Sequence, residues 1–298
     1  MPRSIVVLVA VVVAAALPRP GSSQQPADST ARDSLRTHIL RTRDGSTLIG
    51  RLVSDSADTV RFESNGAMLT LSHAQVVELR AVQPSEIKRG EYWFPDPNRT
   101  RLFFAPTGRM LAKGEGYFSD TYLLLIGVNG GVTSNFTMGA GMSLIPSQDP
   151  LQNVFYLTPK VGLVERPDFA LAAGALVGFA GFDGIGEKNR SFGILYGAGS
   201  MGSTDNHVDV GAGWGYAGGS ISGQPALMFG GATRVSRRIS LLTENYYLPM
   251  LDEHGIFSYG MRFFGEKLSV DLAFINAVGP DATFLFPGIP YVSFAVKF

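Results

Sequence analysis

Four histidines and no cysteines leave this 298-residue sequence few groups able to move protons or act as nucleophiles near neutral pH. His38 and His73 lie in one short amino-terminal stretch, His207 stands beside a tight turn, and His254 follows Asp252 and Glu253. The last trio has the residue types of a general base with orienting carboxylates, or of a metal site. Neighbours in a loop are ordinarily just solvated, however. The run Gly211-Ala212-Gly213-Trp214-Gly215 imitates a phosphate loop, but it alternates like a strand and no helix follows. The reading is therefore no catalytic residue, no metal and no cofactor, with hydrolysis at His254 as an alternative.

The other chemistry is electrostatic. Lys160, Asp209, Arg234, Glu244, Arg262, Asp271 and Lys297 share one phase of alternating segments, each within a few residues of a short turn. If Glu266-Lys267 is a two-residue turn, pairing Gly265 with Leu268 sets Arg262 opposite Asp271. Charges taken out of water are costly unless paired. The seven are thus expected to form a salt-bridge network that braces or closes the floor of a lumen; the alternative is hydrated charges in an open channel.

The elements that would hold them are strands. From Thr100 onward, alternating segments are separated by short connections at Thr133-Ser134-Asn135, Glu165–Asp168, Thr204–Asn206, Ser236–Arg238 and Glu266-Lys267. Longer ones fall at Thr107–Glu115, Pro146–Asn153, Asp183–Arg190, Ser220–Gln224, Met250–Gly255 and Gly279–Gly288. Barrels that cross membranes place tight turns in the periplasm and longer loops outside. With Arg101–Pro106 as the first upward strand, about twelve strands follow, ten and fourteen being the neighbouring counts. Phe136, Met138, Ala140, Met142 and Leu144 alternate with Thr137, Gly139, Gly141 and Ser143, and Val270, Leu272 and Phe274 with Ser269, Asp271 and Ala273. The bulky set belongs against lipid. Gly174, Gly178, Gly193, Gly197, Gly199, Gly211, Gly213 and Gly215 are read as inward positions that help the sheet curve, the alternative being a ligand chamber widened by small residues. Trp214, Tyr216, Tyr246, Tyr247, Tyr259 and Tyr122 are candidates for interfacial girdles.

The fold class is accordingly all-β: a transmembrane antiparallel β-barrel of about twelve strands preceded by a small β-meander domain. Arg3, an apolar run from Ile5 to Leu17 and small residues at Gly21 and Ser23 read as a signal peptide over 1–23. A disordered stretch is expected at 24–35, a small β domain at 36–81, a linker at 82–99 and the barrel at 100–298. Absent cysteine removes a lipoprotein anchor, and equal totals of 25 basic and 25 acidic residues give no reason to expect nucleic acid.

The last eight residues alternate, with Val292, Phe294, Val296 and Phe298 on one face and an aromatic residue at the end. That ending resembles the last strand of bacterial outer-membrane β-barrels. The resemblance implies an insertion signal at those four positions, read by the barrel-assembly machinery, and a home in outer-membrane lipid with the amino-terminal module in the periplasm. A soluble antiparallel barrel would alternate as well; the signal peptide and this ending favour the membrane. Asp44-Gly45, Leu48, Gly50, Leu52, Val60, Phe62, Gly66 and Val76-Val77-Glu78-Leu79 resemble the turn and strand pattern of Sm-like and SH3-like small barrels, which implies docking to a periplasmic partner or self-association. The expected function is a narrow passive channel for small solutes; the alternative is a closed scaffold anchoring the module. Most outer-membrane enzymes of this fold need a histidine paired with serine or aspartate at the lipid edge or the outer mouth, and the phospholipase pattern of His, Ser, Asn and Gly near one another is absent.

Overall fold

The computed structural model describes residues 36–146, 153–181, 190–249, 254–279 and 282–298. The expected signal peptide, the stretch 24–35 and the Asp252-Glu253 pair lie outside them. The chain forms two compact units, Met1–Glu91 and Tyr92–Phe298. Among the described residues no helix is long and apolar enough to cross a membrane.

In the first unit, β1 (Thr37–Thr42), β2 (Thr47–Asp55), β3 (Thr59–Ser64), β4 (Ala67–Ser72) and β5 (Val76–Ala81) form an antiparallel sheet in the order β4-β3-β2-β1-β5. The β3–β4 turn uses Asn65 and Gly66, both at positive φ, the requirement of a tight two-residue hairpin. Alternate residues Leu40, Val60 and Phe62 are buried as its core, with Leu48, Leu52, Leu71, Val76 and Leu79 packed around them. Short strands β6 (Ile87–Lys88) and β7 (Glu91–Tyr92) follow.

The second unit is a closed barrel. Its strands are β8 (Gly116–Thr121), β9 (Leu125–Thr133), β10 (Phe136–Ser143), β11 (Val154–Leu157), β12 (Lys160–Glu165), β13 (Phe169–Ala180), β14 (Ser191–Gly202), β15 (Asn206–Ala217), β17 (Ala226–Ser236), β18 (Ile239–Leu248), β19 (His254–Phe264), β20 (Leu268–Val278) and β21 (Ile289–Lys297), with β16 (Ser220–Ile221) a short flap on β15. β11 and β12 are one strand interrupted at Thr158-Pro159, where proline has no N–H to give; both pair with β10 and β13. Twelve strands result, and β21 closes the ring on β8, Lys297 facing Tyr117 and Phe294 facing Asp120. The outward set, including Leu163, Val208, Phe229, Val235 and Leu272, is large, apolar and exposed, as a lipid-facing belt must be.

The strand count agrees with the sequence reading, but the partition differs. Arg101–Pro106 is not a wall strand; it holds a single bridge between its end residues, and Leu102, Phe103 and Ala105 are buried. The missing strand is β8, created because the apparently continuous stretch 116–133 turns back at Tyr122-Leu123-Leu124. Phase also differs in β14. Gly193, Gly197 and Gly199 pair with the outward Tyr216, Ala212 and Val210, so they face out, whereas Phe192, Ile194 and Tyr196 face in. Tyr246 likewise turns inward and is no girdle residue.

Candidate functional site

Residues 92–115 enter the lumen from the end that carries the short turns, and return to it to begin β8. Three prolines at 95, 97 and 106 keep this segment from joining the wall ladder. It folds instead as a hairpin: Leu102 N–H donates to the Ala105 carbonyl at 2.9 Å, and Thr107 N–H to the Thr100 carbonyl at 3.0 Å. Leu102, Phe103 and Ala105 pack with the inward Met228, Leu242, Ala273 and Tyr291. Lower down, Leu111 packs with Tyr117 and Ala295.

Such a tip turns backbone N–H groups toward the interior, where an unpaired donor costs as much as a lost hydrogen bond. Glu244 on β18, only 1% exposed, answers them. Its Oε2 accepts from the N–H of Phe103 at 2.7 Å and from those of Phe104 and Ala105 at 3.0 Å each. Tyr246 donates its hydroxyl to Oε1 at 2.7 Å. The Tyr291 hydroxyl donates to the Phe103 carbonyl at 3.1 Å, holding the other side of the tip.

Arg262 does the same for carbonyls. It is 2% exposed, and its guanidinium meets Asp271 at 2.6 and 3.0 Å and Asp96 at 2.9 Å. It also donates to the Asn98 carbonyl at 3.0 Å and the Leu102 carbonyl at 2.6 Å. Arg234 donates to Phe94 O at 2.9 Å and Asp205 at 2.8 Å, and lies over the Phe264 ring at 4.5 Å. Lys160 donates to Arg109 O at 2.6 Å and Thr100 O at 3.3 Å. Asp209 accepts from Ser200 Oγ at 2.5 Å, and Ser200 Oγ in turn accepts from Gly108 N–H at 2.8 Å. Lys297 meets Glu115 at 2.6 Å, and Arg99 pairs with the same carboxylate. Burial works against that charge, but Arg99 and Lys297 outweigh it and hold the Glu115 carboxyl down at about 2.

The seven charged positions therefore surround an inserted segment. Arg262 and Asp271 face each other in register; the rest hold the segment or the turns, at the floor that the sequence reading expected a salt-bridge network to brace or close. Sequence reasoning missed Asp96, Arg99, Arg109 and Glu115. Their signal was a cluster of charges in a stretch too rich in proline to be a wall strand.

His207 Nδ1 lies 2.6 Å from Asp209 Oδ2, so serine, aspartate and histidine do meet here. The serine proton goes to the carboxylate, not to the imidazole, so this geometry does not activate a nucleophile. Nothing can be placed for His254, whose side chain lies outside the described set. Among the described residues no cluster has the makeup of a metal site.

Above the segment the lumen is hollow. The cavity measures about 540 Å³, floored by Thr100, Arg101 and Phe104–Pro106 and walled by inward residues of β8–β18.

Solved structures similar to this chain are bacterial outer-membrane proteins. The KdgM porin in complex with oligogalacturonate aligns at TM-score 0.42 and 8% identity, covering 61% of this chain and 95% of the porin. The NanC porin aligns at 0.38 and 7%, covering 61% and 97%. OmpT of Vibrio cholerae aligns at 0.33 and 12%, covering 89% and 95%. No protein-family model and no curated protein matches the sequence.

Proposed function

We propose that this protein is a narrow passive channel of the bacterial outer membrane for small solutes, its bore set by residues 92–115. The observation that carries this reading is a closed ring of strands, apolar outside, whose lumen is filled at the short-turn end and hollow beyond it. Val292, Phe294, Val296 and Phe298 supply the insertion signal for the assembly machinery. The amino-terminal module stands in the periplasm, where it docks a partner or a second copy. No chemistry is assigned to the barrel: Ser200, held by Asp209 beside His207, serves to seat Gly108.

A second reading, a closed scaffold, is favoured by the number of buried bonds on the segment, those of Glu244 and Arg262 above all. Swelling of liposomes containing the refolded chain separates the two. A channel admits small sugars at a rate that falls with solute size; a scaffold gives no swelling above empty liposomes.

A further inference from the structure

The hollow half of this lumen sets polar residues such as Ser119, Thr121, Asn129 and Thr158 beside a broad apolar wall. Phe104, Leu125, Leu176, Phe192, Ile194 and Met228 all line it. The cations at its floor are already engaged: Arg101 donates to Asn98 Oδ1 and Ser293 Oγ at 3.0 Å each, and Lys160 to two backbone carbonyls. A volume near 540 Å³ falls within the ~300–1,000 Å³ range of small-molecule sites, which are mostly apolar with a few polar groups. One such residue is Thr137, which lines the cavity and is 5% exposed, its hydroxyl buried without a hydrogen-bond partner.

The wall beside the cavity is also low. β8 has 6 residues and its partner β9 has 9, where β14 has 12. Nine residues of tilted strand rise about 21 Å against an apolar band of about 25 Å, so the β8–β9 turn ends near the outer edge of the hydrocarbon. That turn is apolar: Leu123 is 72% exposed, and Tyr122 and Leu123 both adopt φ +59, a region bulky residues rarely occupy. Thr121 and Leu125, which flank it, both line the cavity. Beyond Thr121 the edge of β21 is held by Tyr122, whose N–H donates to Val292 O and whose hydroxyl donates to Pro290 O.

We infer that the upper lumen is a binding chamber for a neutral alkyl or aromatic molecule, reached from the lipid over the β8–β9 turn. This rests on the outer-membrane reading and narrows the solute class. The ligand's body replaces lipid contacts with the inward faces of β13 and β14, and its one polar group reaches Thr137.

The test is binding of N-phenyl-1-naphthylamine to the refolded full chain in phospholipid nanodiscs, with empty discs as background. Saturable binding near one probe per chain is expected. Ile194→Trp, which fills the chamber, should weaken binding at least tenfold; Leu195→Trp, on the lipid face, should leave it unchanged. Leu176→Gln, which keeps volume and adds polarity, should weaken it too and serves if Ile194→Trp does not fold. No saturable binding, or equal binding by inward and outward variants, overturns the chamber. Swelling by small sugars of liposomes carrying the same refolded chain distinguishes that failure from failure of the channel reading.

Discussion

The carboxylate of Glu244 accepts the backbone N–H of Phe103 at 2.7 Å across 141 residues of sequence, tying the tip of the inserted hairpin to the barrel wall. Hydrogen bonds to a charged acceptor contribute about 1.5–3 kcal/mol each. Glu244→Ala removes the acceptor and leaves three buried N–H groups unpaired, so it should lower unfolding stability by at least about 2 kcal/mol. It should also speed hydrogen exchange at the amides of Phe103, Phe104 and Ala105. Exchange equal to that of the parent would show that the tip is held by packing alone.

Arg262 and Asp271 make a buried pair whose value depends on the third partner, Asp96. Removing the arginine leaves two buried carboxylates, and breaking such a pair costs about 3–5 kcal/mol. Asp271→Asn leaves Arg262 with Asp96 and should cost less than Arg262→Met. Urea unfolding of the two variants and the double mutant checks this; the double should fall well short of the sum of the singles.

Glu115 makes stability respond to acid. Its folded carboxyl is held at about 2 against an ordinary 4.5, so the fold favours the charged form. That contribution is complete above pH 4.5 and is lost as pH falls through 2. The unfolding midpoint should drop over that window, and Glu115→Gln should be less stable at neutral pH with a shallower acid limb. Parallel pH profiles for the two proteins would contradict it.

Gly108 passes close to the wall. A Cβ there would stand 2.3 Å from the Ala170 carbonyl oxygen, so even alanine must push the segment inward. Gly108→Ala should disturb the Ser200–Asp209 contact and raise solute flux in the swelling assay. Gly197→Ala, at a glycine with open space around the added carbon, should leave flux unchanged.

What could be read from the sequence follows from what fixes it locally. The Arg262–Asp271 register was legible because Glu266-Lys267 is a short turn, with Gly265 N–H donating to Leu268 O at 2.8 Å; once a turn is set, period two fixes every side chain beyond it. The first unit was legible for the same reason, its Asn65-Gly66 turn and its alternating core lying within a few residues of each other. Arg101–Pro106 misled because its short apolar run Leu102–Ala105 stands where an even strand count needs a first upward strand. Its partners, Glu244 and Arg262, lie far away in sequence and leave no local mark. The phase of β14 misled because bulky apolar residues were assigned to lipid, whereas Phe192, Ile194 and Tyr196 face an apolar chamber.

The account turns on whether residues 92–115 set the bore. Single-channel conductance of the refolded chain in planar bilayers tests this directly, against a chain in which Asn98–Arg109 is replaced by a glycine–serine linker of equal length. The segment as bore predicts small or rare steps in the parent and larger, longer openings in the replaced chain. Equal conductance in the two folded proteins would contradict it.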